Sequence, residues 1–277
     1  MHNDYFENQI ESNIFKNNNS SDNLAVIVVS CDLYSDVWKP FFTLFFKYWN
    51  DCPFCLYLTS NFLQYPDSRV KTINLENDEN WSSSLKKALK KINENYVMII
   101  LEDFLITHYV DTRQIKELWQ YMLEKNAACL RLFPCPGPDK SCKDNPNVGL
   151  IVKGAPYRSS TMVAIWDKEI LLTLLQNGET AWEFELKGTK RTNNLDRPFL
   201  SVINSNDPPI QYICSAIIRG KWIPELPAFF KKEGIHIDFS QRGFWKWYTN
   251  YVYRLNMWVQ NRIKNLKNIK DLFLKQI

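Results

Sequence analysis

Two adjacent carboxylates, Glu102 and Asp103, directly follow the apolar run YVMIIL at 96–101. Taking a carboxylate out of water costs free energy unless it meets a cation or hydrogen-bond donors. A pair at the end of a buried run therefore indicates a cleft, a cation or donors close by. The alternative is that one of the two caps a following helix or pairs with Arg131.

A second acidic pair, Glu183 and Glu185, lies in the stretch TAWEFELKG and alternates there with apolar residues. In an extended segment, alternate side chains point to opposite sides. The pattern thus predicts an extended segment with both carboxylates on one side and Trp182, Phe184 and Leu186 on the other. The alternative is a surface segment whose carboxylates are only solvated.

The elements that must position these pairs alternate between strands and helices. Short β-branched or apolar runs predict buried strands at 24–31, 54–61 and 96–101. Helical spacing of apolar residues predicts helices at 35–49 and 81–95, the second with a serine to cap its start. This order predicts a doubly wound α/β sheet, in which sites lie beyond the carboxyl ends of the strands.

The exit of the first strand carries polar residues as well. Ser30 and Asp32 lie in SCDLYSD, directly after the apolar run LAVIVV. Because the carboxyl ends of parallel strands meet at one edge of a sheet, we expect these residues close to Glu102 and Asp103. That edge is the predicted location of a site.

Composition and charge set the broad class. The chain has 277 residues, of which 45 % are hydrophobic and 14 % aromatic, as in a packed globule. It has no apolar run of about 18 residues, no signal-peptide pattern at its start, and an odd number of cysteines in apolar contexts. These features predict a cytoplasmic protein. We expect a mobile lead-in at 1–22, a globular domain at 23–240 and a tail at 241–277.

The tail differs from the rest in charge. Residues 241–277 hold eight basic residues and one acid, a net charge of +7, and since the total is +4 the remainder carries −3. Apolar residues there recur at three- and four-residue spacing, and aromatics crowd its first part, which predicts an amphipathic helix. Such a helix suits an anionic membrane surface. The alternatives are packing on the globule or pairing with a second copy as a homodimer; nucleic acid is not expected, because residues 1–240 are acidic and carry no such motif.

The order of parts over residues 24–240 resembles the GT-A class of nucleotide-sugar glycosyltransferases, in particular bacterial ones of cell-surface polysaccharide and lipooligosaccharide assembly. VIVVSCDLYSD looks like the family's nucleotide-binding start, and WSSSLKKALKKINENYVMIILEDF looks like the helix and strand that deliver its DxD motif. APYRSSTMVAIWDKEILLTLL is similar to the acceptor-side strand and helix. NGETAWEFELKGTKR stands where the family often places a catalytic base.

The resemblance implies a GT-A-like mixed sheet flanked by helices and transfer of a sugar from a nucleotide diphosphate to a glycan or lipid-linked acceptor. It implies nucleotide binding by Ser30 and Asp32 and makes Glu183 or Glu185 the catalytic base, with Glu183 preferred. A candidate base favours inversion, since the base takes a proton from the acceptor hydroxyl opposite the leaving group. The alternatives are a sugar- or nucleotide-binding module without turnover and a peripheral membrane scaffold.

The acidic motif departs from the family pattern, because it reads Leu-Glu-Asp-Phe at 101–104 rather than DxD. Asp103, with Glu102, can still stand in for it and hold Mg²⁺ or Mn²⁺ partly through water. Without a metal, the diphosphate would need cationic side chains instead. The candidates are Arg131, Arg158, Lys190 and Arg191, the last two in a predicted basic loop beside Lys187. A Pro- and Gly-containing loop is expected at 131–149.

Overall fold

The computed structural model describes residues 23–77 and 79–245. The chain divides into two compact units, Met1–Ile213 and Cys214–Ile277. The expected lead-in at 1–22 lies outside the described residues, as does the expected tail from 246 onward. The expected domain boundary at 240 falls inside the second unit.

Within the described ranges, the strands in chain order are β1 Leu24–Val29, β2 Cys55–Ser60, β3 Val70–Asn74, β4 Tyr96–Leu101, β5 Leu105–Ile106, β6 Cys129–Arg131, β7 Lys140–Cys142, β8 Asn145–Leu150, β9 Ala164–Asp167, β10 Phe199–Val202, β11 Tyr212–Ile213, β12 Ile217–Ile218 and β13 Lys221–Trp222. The α-helices are α1 Ser35–Tyr48, α2 Trp81–Leu89, α3 Thr112–Glu124, α4 Lys168–Leu174, α5 Ala181–Glu183, α6 Thr189–Thr192 and α7 Leu226–Glu233. A 3₁₀ turn spans Asp32–Tyr34, and a π-helical turn, Phe184–Gly188, joins α5 to α6.

Nine strands form one mixed sheet in the order β3-β2-β1-β4-β9-β6-β10-β8-β7. The strands β3, β2, β1 and β4 are parallel, as are β6 and β10, whereas β9 runs antiparallel between β4 and β6. Strand order reverses at β1, which has β2 on one side and β4 on the other. The expected α/β class, a large mixed sheet flanked by helices, is confirmed.

Register places the exits of the central strands side by side. Ile27 of β1 pairs with Ile99 of β4, Ile99 with Ala164 of β9, and Ala164 with Arg131 of β6. Because β9 is antiparallel, its first residues lie at the edge where β1, β4 and β6 end. This carboxyl edge is where ligands bind in open α/β sheets, at the point where strand order reverses.

Helices cover both faces of the sheet, which explains why every residue of β1 is buried. On one face, side chains of β1, β4 and β9 form a core cluster with Leu85 of α2 and Leu171 of α4. On the other face, the ring of Phe54 lies against the rings of Trp49, after α1, and Trp119 of α3. The sandwiched sheet gives the carboxyl edge a rigid support.

Most of the predicted elements are present, with shifts at their ends. The strands expected at 24–31, 54–61 and 96–101 are β1, β2 and β4, and the helix expected at 35–49 is α1. The helix expected at 81–95 ends at Leu89, and its cap is Asn80, which accepts a hydrogen bond from the Ser83 N–H, rather than a serine. Strand β3 was not predicted.

Two expectations about irregular structure are wrong. The stretch 131–149, expected as a loop, contains the β7–β8 hairpin at the edge of the sheet. The stretch 181–192, expected as an extended segment followed by a basic loop, is helical throughout. The helix overrides the alternating pattern because a capping box at Thr180 fixes its start.

The second unit, as far as residue 245, holds the β12–β13 hairpin and α7 around the buried Trp222, whose ring meets those of Phe230 and Phe239. Over the described ranges, none of the helices has the length and apolarity that a membrane crossing requires.

Candidate active site

The exit of β1 is fixed by a group of residues that we call the Asp32 clamp: Asp32, Ser60, Asn61, Phe62 and Leu63. The Asp32 carboxylate accepts hydrogen bonds from Ser60 Oγ at 2.6 Å and from the N–H groups of Asn61 at 2.9 Å and Phe62 at 3.0 Å. The Leu63 N–H adds a longer contact at 3.3 Å. Both carboxylate oxygens are thus engaged in holding the chain after β2.

Electrostatics agree with that role. Burial acts to raise the pKa of Asp32, but the hydrogen bonds from Ser60 and the three N–H groups outweigh it and bring the pKa below its usual value of 3.8. Asp32 therefore stays ionised and bound to the chain. Asp32, expected as a nucleotide ligand, thus has a structural role in holding the chain after β2.

Ser30 is engaged in a similar way. Its N–H donates to Thr59 Oγ1, whose hydroxyl donates to the Ser30 carbonyl, both at 2.7 Å. Its own Oγ accepts from Trp38 Nε1 at 2.7 Å. Beside it, a groove of about 790 Å³ opens between the start of α1 and residues 63–68. These contacts fix the groove wall and the end of β1 together.

Glu102 and Asp103 lie where the sequence predicted, in a turn directly after β4. The Phe104 N–H closes the turn on the Leu101 carbonyl at 3.0 Å, and Leu101 pairs with Val29 of β1. Glu102 is buried and Asp103 half-buried. The turn is therefore beside the end of β1. Across 23–77 and 79–245, His, Cys, Asp and Glu side chains form no group of three or more suited to a metal ion.

A second cluster surrounds Glu185 at the start of β9; we call Glu185, Arg131, Tyr157, Ser160 and Thr161 the Glu185 cluster. Glu185 is only 9 % exposed. Its Oε1 accepts from the Thr161 N–H and Thr161 Oγ1, both at 2.8 Å, and from Ser160 Oγ at 3.4 Å. In the part of the chain that the structure describes, no hydrogen bond reaches Oε2. Oε1 thus receives three hydrogen bonds and Oε2 none.

Arg131 supports this cluster from β6. It is 2 % exposed, and its guanidinium donates to the carbonyls of Pro136, at 2.6 Å, and Tyr157. Burial lowers the pKa of Arg131, while nearby groups that include the Glu185 carboxylate oppose that shift. An arginine nevertheless stays charged in proteins. The cluster therefore places a buried cation near a buried carboxylate, with the guanidinium bound to backbone carbonyls and not to Glu185.

Tyr157 connects Arg131 to Glu185. Its backbone has a φ of 55°, in the left-handed region that few residues other than glycine adopt. Burial raises the pKa of Tyr157, and the negative charge of Glu185 raises it further. Residues in such backbone conformations persist where their surroundings hold them, and they concentrate at functional sites.

Glu183 differs from Glu185 in having both carboxylate oxygens engaged. Its Oε2 accepts from the N–H and Oγ1 of Thr180 at 3.0 and 3.1 Å, completing the capping box, and its Oε1 accepts from Lys187 at 2.8 Å. The hydrogen bond from Lys187, followed by those from Thr180, lowers the pKa of Glu183 to about 2. The two carboxylates, expected on one side of an extended segment, have different surroundings because the segment is helical.

The remaining cations are mostly tied into the fold. Buried Arg158 donates to the carbonyls of Ile151 and Thr192. Arg191 forms two hydrogen bonds, at 2.9 and 2.6 Å, with the carboxylate of Glu179. Lys190 is exposed on α6. The structure brings Arg131 to Glu185 and leaves Lys190 open to solvent.

Sequence reasoning missed Tyr157, Ser160 and Thr161 as site residues. The available signal was the polar run SST at 159–161, two residues before the apolar strand β9. This run alone does not predict a site, because the sequence does not show that β9 is antiparallel. Only that direction puts the start of the strand at the carboxyl edge.

Comparisons with known proteins find fold likeness only. No protein-family model matches the chain, and no curated protein sequence matches it. Similar solved structures include S. aureus TarS 1-349, at 15 % identity and TM-score 0.47, covering 70 % of this chain and 61 % of that one. The same fragment in complex with UDP-GlcNAc is 14 % identical with a TM-score of 0.44, and the match covers 69 % of this chain and 57 % of that one. The bifunctional IspDF from Campylobacter jejuni is 12 % identical with a TM-score of 0.40, and the match covers 69 % of this chain and 52 % of that one.

The chain thus spans about three-fifths or less of the length of these structures. None of the likenesses is high enough in identity or TM-score to carry an argument about chemistry.

Proposed function

We propose that the chain is a glycosyltransferase that moves a sugar from a nucleotide-diphosphate donor to a glycan or lipid-linked acceptor in surface polysaccharide biosynthesis. The observation that carries the proposal is the Glu185 carboxylate, with Oε1 held by Ser160 and Thr161 and Oε2 open. A buried carboxylate held by one oxygen is oriented to accept a proton with the other. The sequence resemblance supports the choice of donor class.

In this proposal the reaction is a single displacement with inversion. Glu185 Oε2 takes the proton of an acceptor hydroxyl as that oxygen forms its bond to the anomeric carbon. The bond from that carbon to the diphosphate oxygen breaks, and the nucleoside diphosphate leaves with the electron pair. Glu183 suits the role less well, because its pKa of about 2 makes it a weak base and both of its oxygens are engaged.

The donor would bind in the crevice beyond β1 and β4, where strand order reverses. Asp103, with Glu102, is our candidate ligand for Mg²⁺ or Mn²⁺. Two carboxylates fit such an ion, because Mg²⁺ is often bound through one or two carboxylates, water and substrate phosphate. The ion, when bound, would neutralise the diphosphate. Exposed Lys190 is the candidate cation from the protein itself.

Thermal shift with UDP, GDP, ADP and dTDP, each with and without Mn²⁺, tests donor binding. A ligand at about one hundred times its Kd stabilises the folded state by about 2.7 kcal/mol, so one nucleotide class should give a clear shift. The matching sugar nucleotides should then yield free nucleoside diphosphate when an acceptor extract is added. The proposal fails if no nucleotide shifts the transition, and a shift without turnover would identify a binding module.

A further inference from the structure

One tryptophan of the described chain stands apart from the others. Trp182 on α5 is 57 % exposed, whereas Trp49, Trp119, Trp166 and Trp222 are at most 2 % exposed. An exposed indole offers a large, flat apolar face, and Leu186 of the same helix, at 43 % exposed, extends that apolar surface. Trp182 can therefore contact a ligand or partner.

Trp182 lies near Glu185, the proposed base. Its ring centroid is 6.1 Å from that of Tyr157, with an angle of 58° between the planes. Tyr157 in turn precedes Ser160 by three residues and Thr161 by four, and the hydroxyls of those two residues hold Glu185 Oε1. Trp182 also precedes Glu185 by three residues in one continuous helix, a spacing that puts two residues on neighbouring surface.

The backbone that carries the two rings is held in place. The Thr180 capping box fixes the first turn that carries Trp182, and the Glu183–Lys187 pair spans the next turn. Arg131 holds the carbonyl of Tyr157. A preorganised surface loses little conformational entropy when a ligand covers it.

We propose that Trp182 and Tyr157 form a stacking surface for a pyranose ring of the acceptor, next to Glu185. This rests on the proposed function and deepens it, because it makes the acceptor end in a sugar rather than in a bare lipid phosphate. A pyranose has an apolar C–H face that can cover an indole, and a rim of hydroxyls that can reach polar groups. Within the described residues Glu185 Oε2 receives no hydrogen bond, so it can accept one from such a hydroxyl.

The continuity of this surface with the Glu185 cluster favours a sugar over a second copy of the chain or a lipid tail. The exposed apolar side chains of this helix are Trp182 and, four residues later, Leu186 at 43 %. Toward Tyr157 the surface turns polar, at Glu185 and the hydroxyls of Ser160 and Thr161. A lipid tail or a subunit contact would need a broader apolar area. The Glu185 carboxylate would then face an apolar partner that offers it no hydrogen-bond donor.

Saturation-transfer NMR on the full chain, without nucleotide, tests the proposal with chitotriose, cellotriose and galactotriose. At least one should bind, and Trp182→Ala should weaken it by about tenfold or more, since an aromatic contact is lost together with the area it buries. Trp182→Phe, which keeps a ring, should stay within about threefold of wild type. Tyr109→Ala is the matched control, because Tyr109 is an exposed aromatic residue, at 76 %, whose ring lies against Tyr48 at the end of α1 and not against Tyr157.

Absence of binding by all three sugars overturns the proposal, as does binding that Trp182→Ala leaves unchanged. Sedimentation that shows a wild-type dimer dissociated by Trp182→Ala also overturns it, because the surface is then a subunit contact. The nucleotide thermal shift, run in parallel, separates the two claims. A nucleotide shift without sugar binding refutes only the stacking surface, and sugar binding without a nucleotide shift refutes only the transferase.

Discussion

The Asp32 clamp and the Glu185 cluster both place a carboxylate at the carboxyl edge of the sheet, yet they use it differently. Asp32 receives hydrogen bonds on both oxygens, mostly from backbone N–H groups. Glu185 receives three, all on Oε1. Location at the edge alone therefore does not identify a reactive group. The number of donors on each oxygen separates a carboxylate that shapes a loop from one that can take a proton.

The donors also differ in kind. Backbone N–H groups at the Asp32 clamp cannot turn away, so the loop and the carboxylate fix one another. At Glu185, hydroxyls of Ser160 and Thr161 contribute two of the three bonds, and the cation Arg131 lies nearby without taking the second oxygen. This arrangement keeps the carboxylate buried at tolerable cost while leaving one acceptor site for a substrate.

Glu185→Gln should have the largest effect on activity. Glutamine can keep a carbonyl oxygen at the place of Oε1, so the fold and donor binding should persist, but it cannot act as a base. General base catalysis contributes about a hundredfold or more, and transfer should fall by at least that factor. Initial rates with a saturating donor measure the loss of transfer, and the nucleotide thermal shift measures donor binding. Loss of nucleotide binding in this variant would argue against the base role.

Asp103→Asn should lower turnover by about tenfold, equivalent to roughly 1.4 kcal/mol of activation free energy, because it removes charge without changing volume. The turn after β4 lies between the two clusters along the carboxyl edge, and an effect there would assign the donor side to it. Activity that rises with added Mn²⁺ in wild type but not in the variant would assign the metal to Asp103. Equal rates in variant and wild type would remove Asp103 from the site.

Asp32→Ala should act on stability rather than on chemistry. It leaves three N–H groups and the Ser60 hydroxyl without their acceptor. Because the exposed Phe62 and Leu63 can bond water instead, the expected net loss is about 2 kcal/mol, that of one hydrogen bond to a charged group. At roughly 2–4 °C per kcal/mol for a domain of this size, the midpoint should fall by about 4–8 °C. Asp51→Ala, which removes an exposed carboxylate at the end of the α1 segment, is the matched control and should change little.

The same variant gives a test by pH. The folded-state pKa of Asp32 is lowered, so its stabilisation is present above the unfolded pKa and is lost as pH falls through the folded value. The difference in free energy of unfolding between wild type and Asp32→Ala should therefore be constant near neutrality and shrink below about pH 4. A difference that persists undiminished in acid would mean that the carboxylate charge is not what holds the loop.

Sequence patterns were sufficient for the parallel half of the sheet and insufficient for the antiparallel half. β1, β2 and β4 are continuous apolar runs with polar exits, which local composition encodes directly. The position of Glu185 depends on β9 running antiparallel between β4 and β6, a long-range pairing that no local pattern encodes. The same limit explains why Arg131 was considered as a phosphate ligand, since only the fold shows that it is buried.

Glu183→Gln should have the smallest effect and is the direct counterpart of Glu185→Gln. Glutamine can serve in a capping box, so the Thr180 cap should survive, and the pair with Lys187 is an exposed one. Because exposed ion pairs contribute little, transfer should stay within about twofold of wild type. Lys187→Met, which removes the same pair from the other side, should behave alike. The family resemblance favoured Glu183 as the base. If Glu183→Gln is inactive while Glu185→Gln retains activity, Glu183 is the base and Glu185 Oε2 is not the proton acceptor.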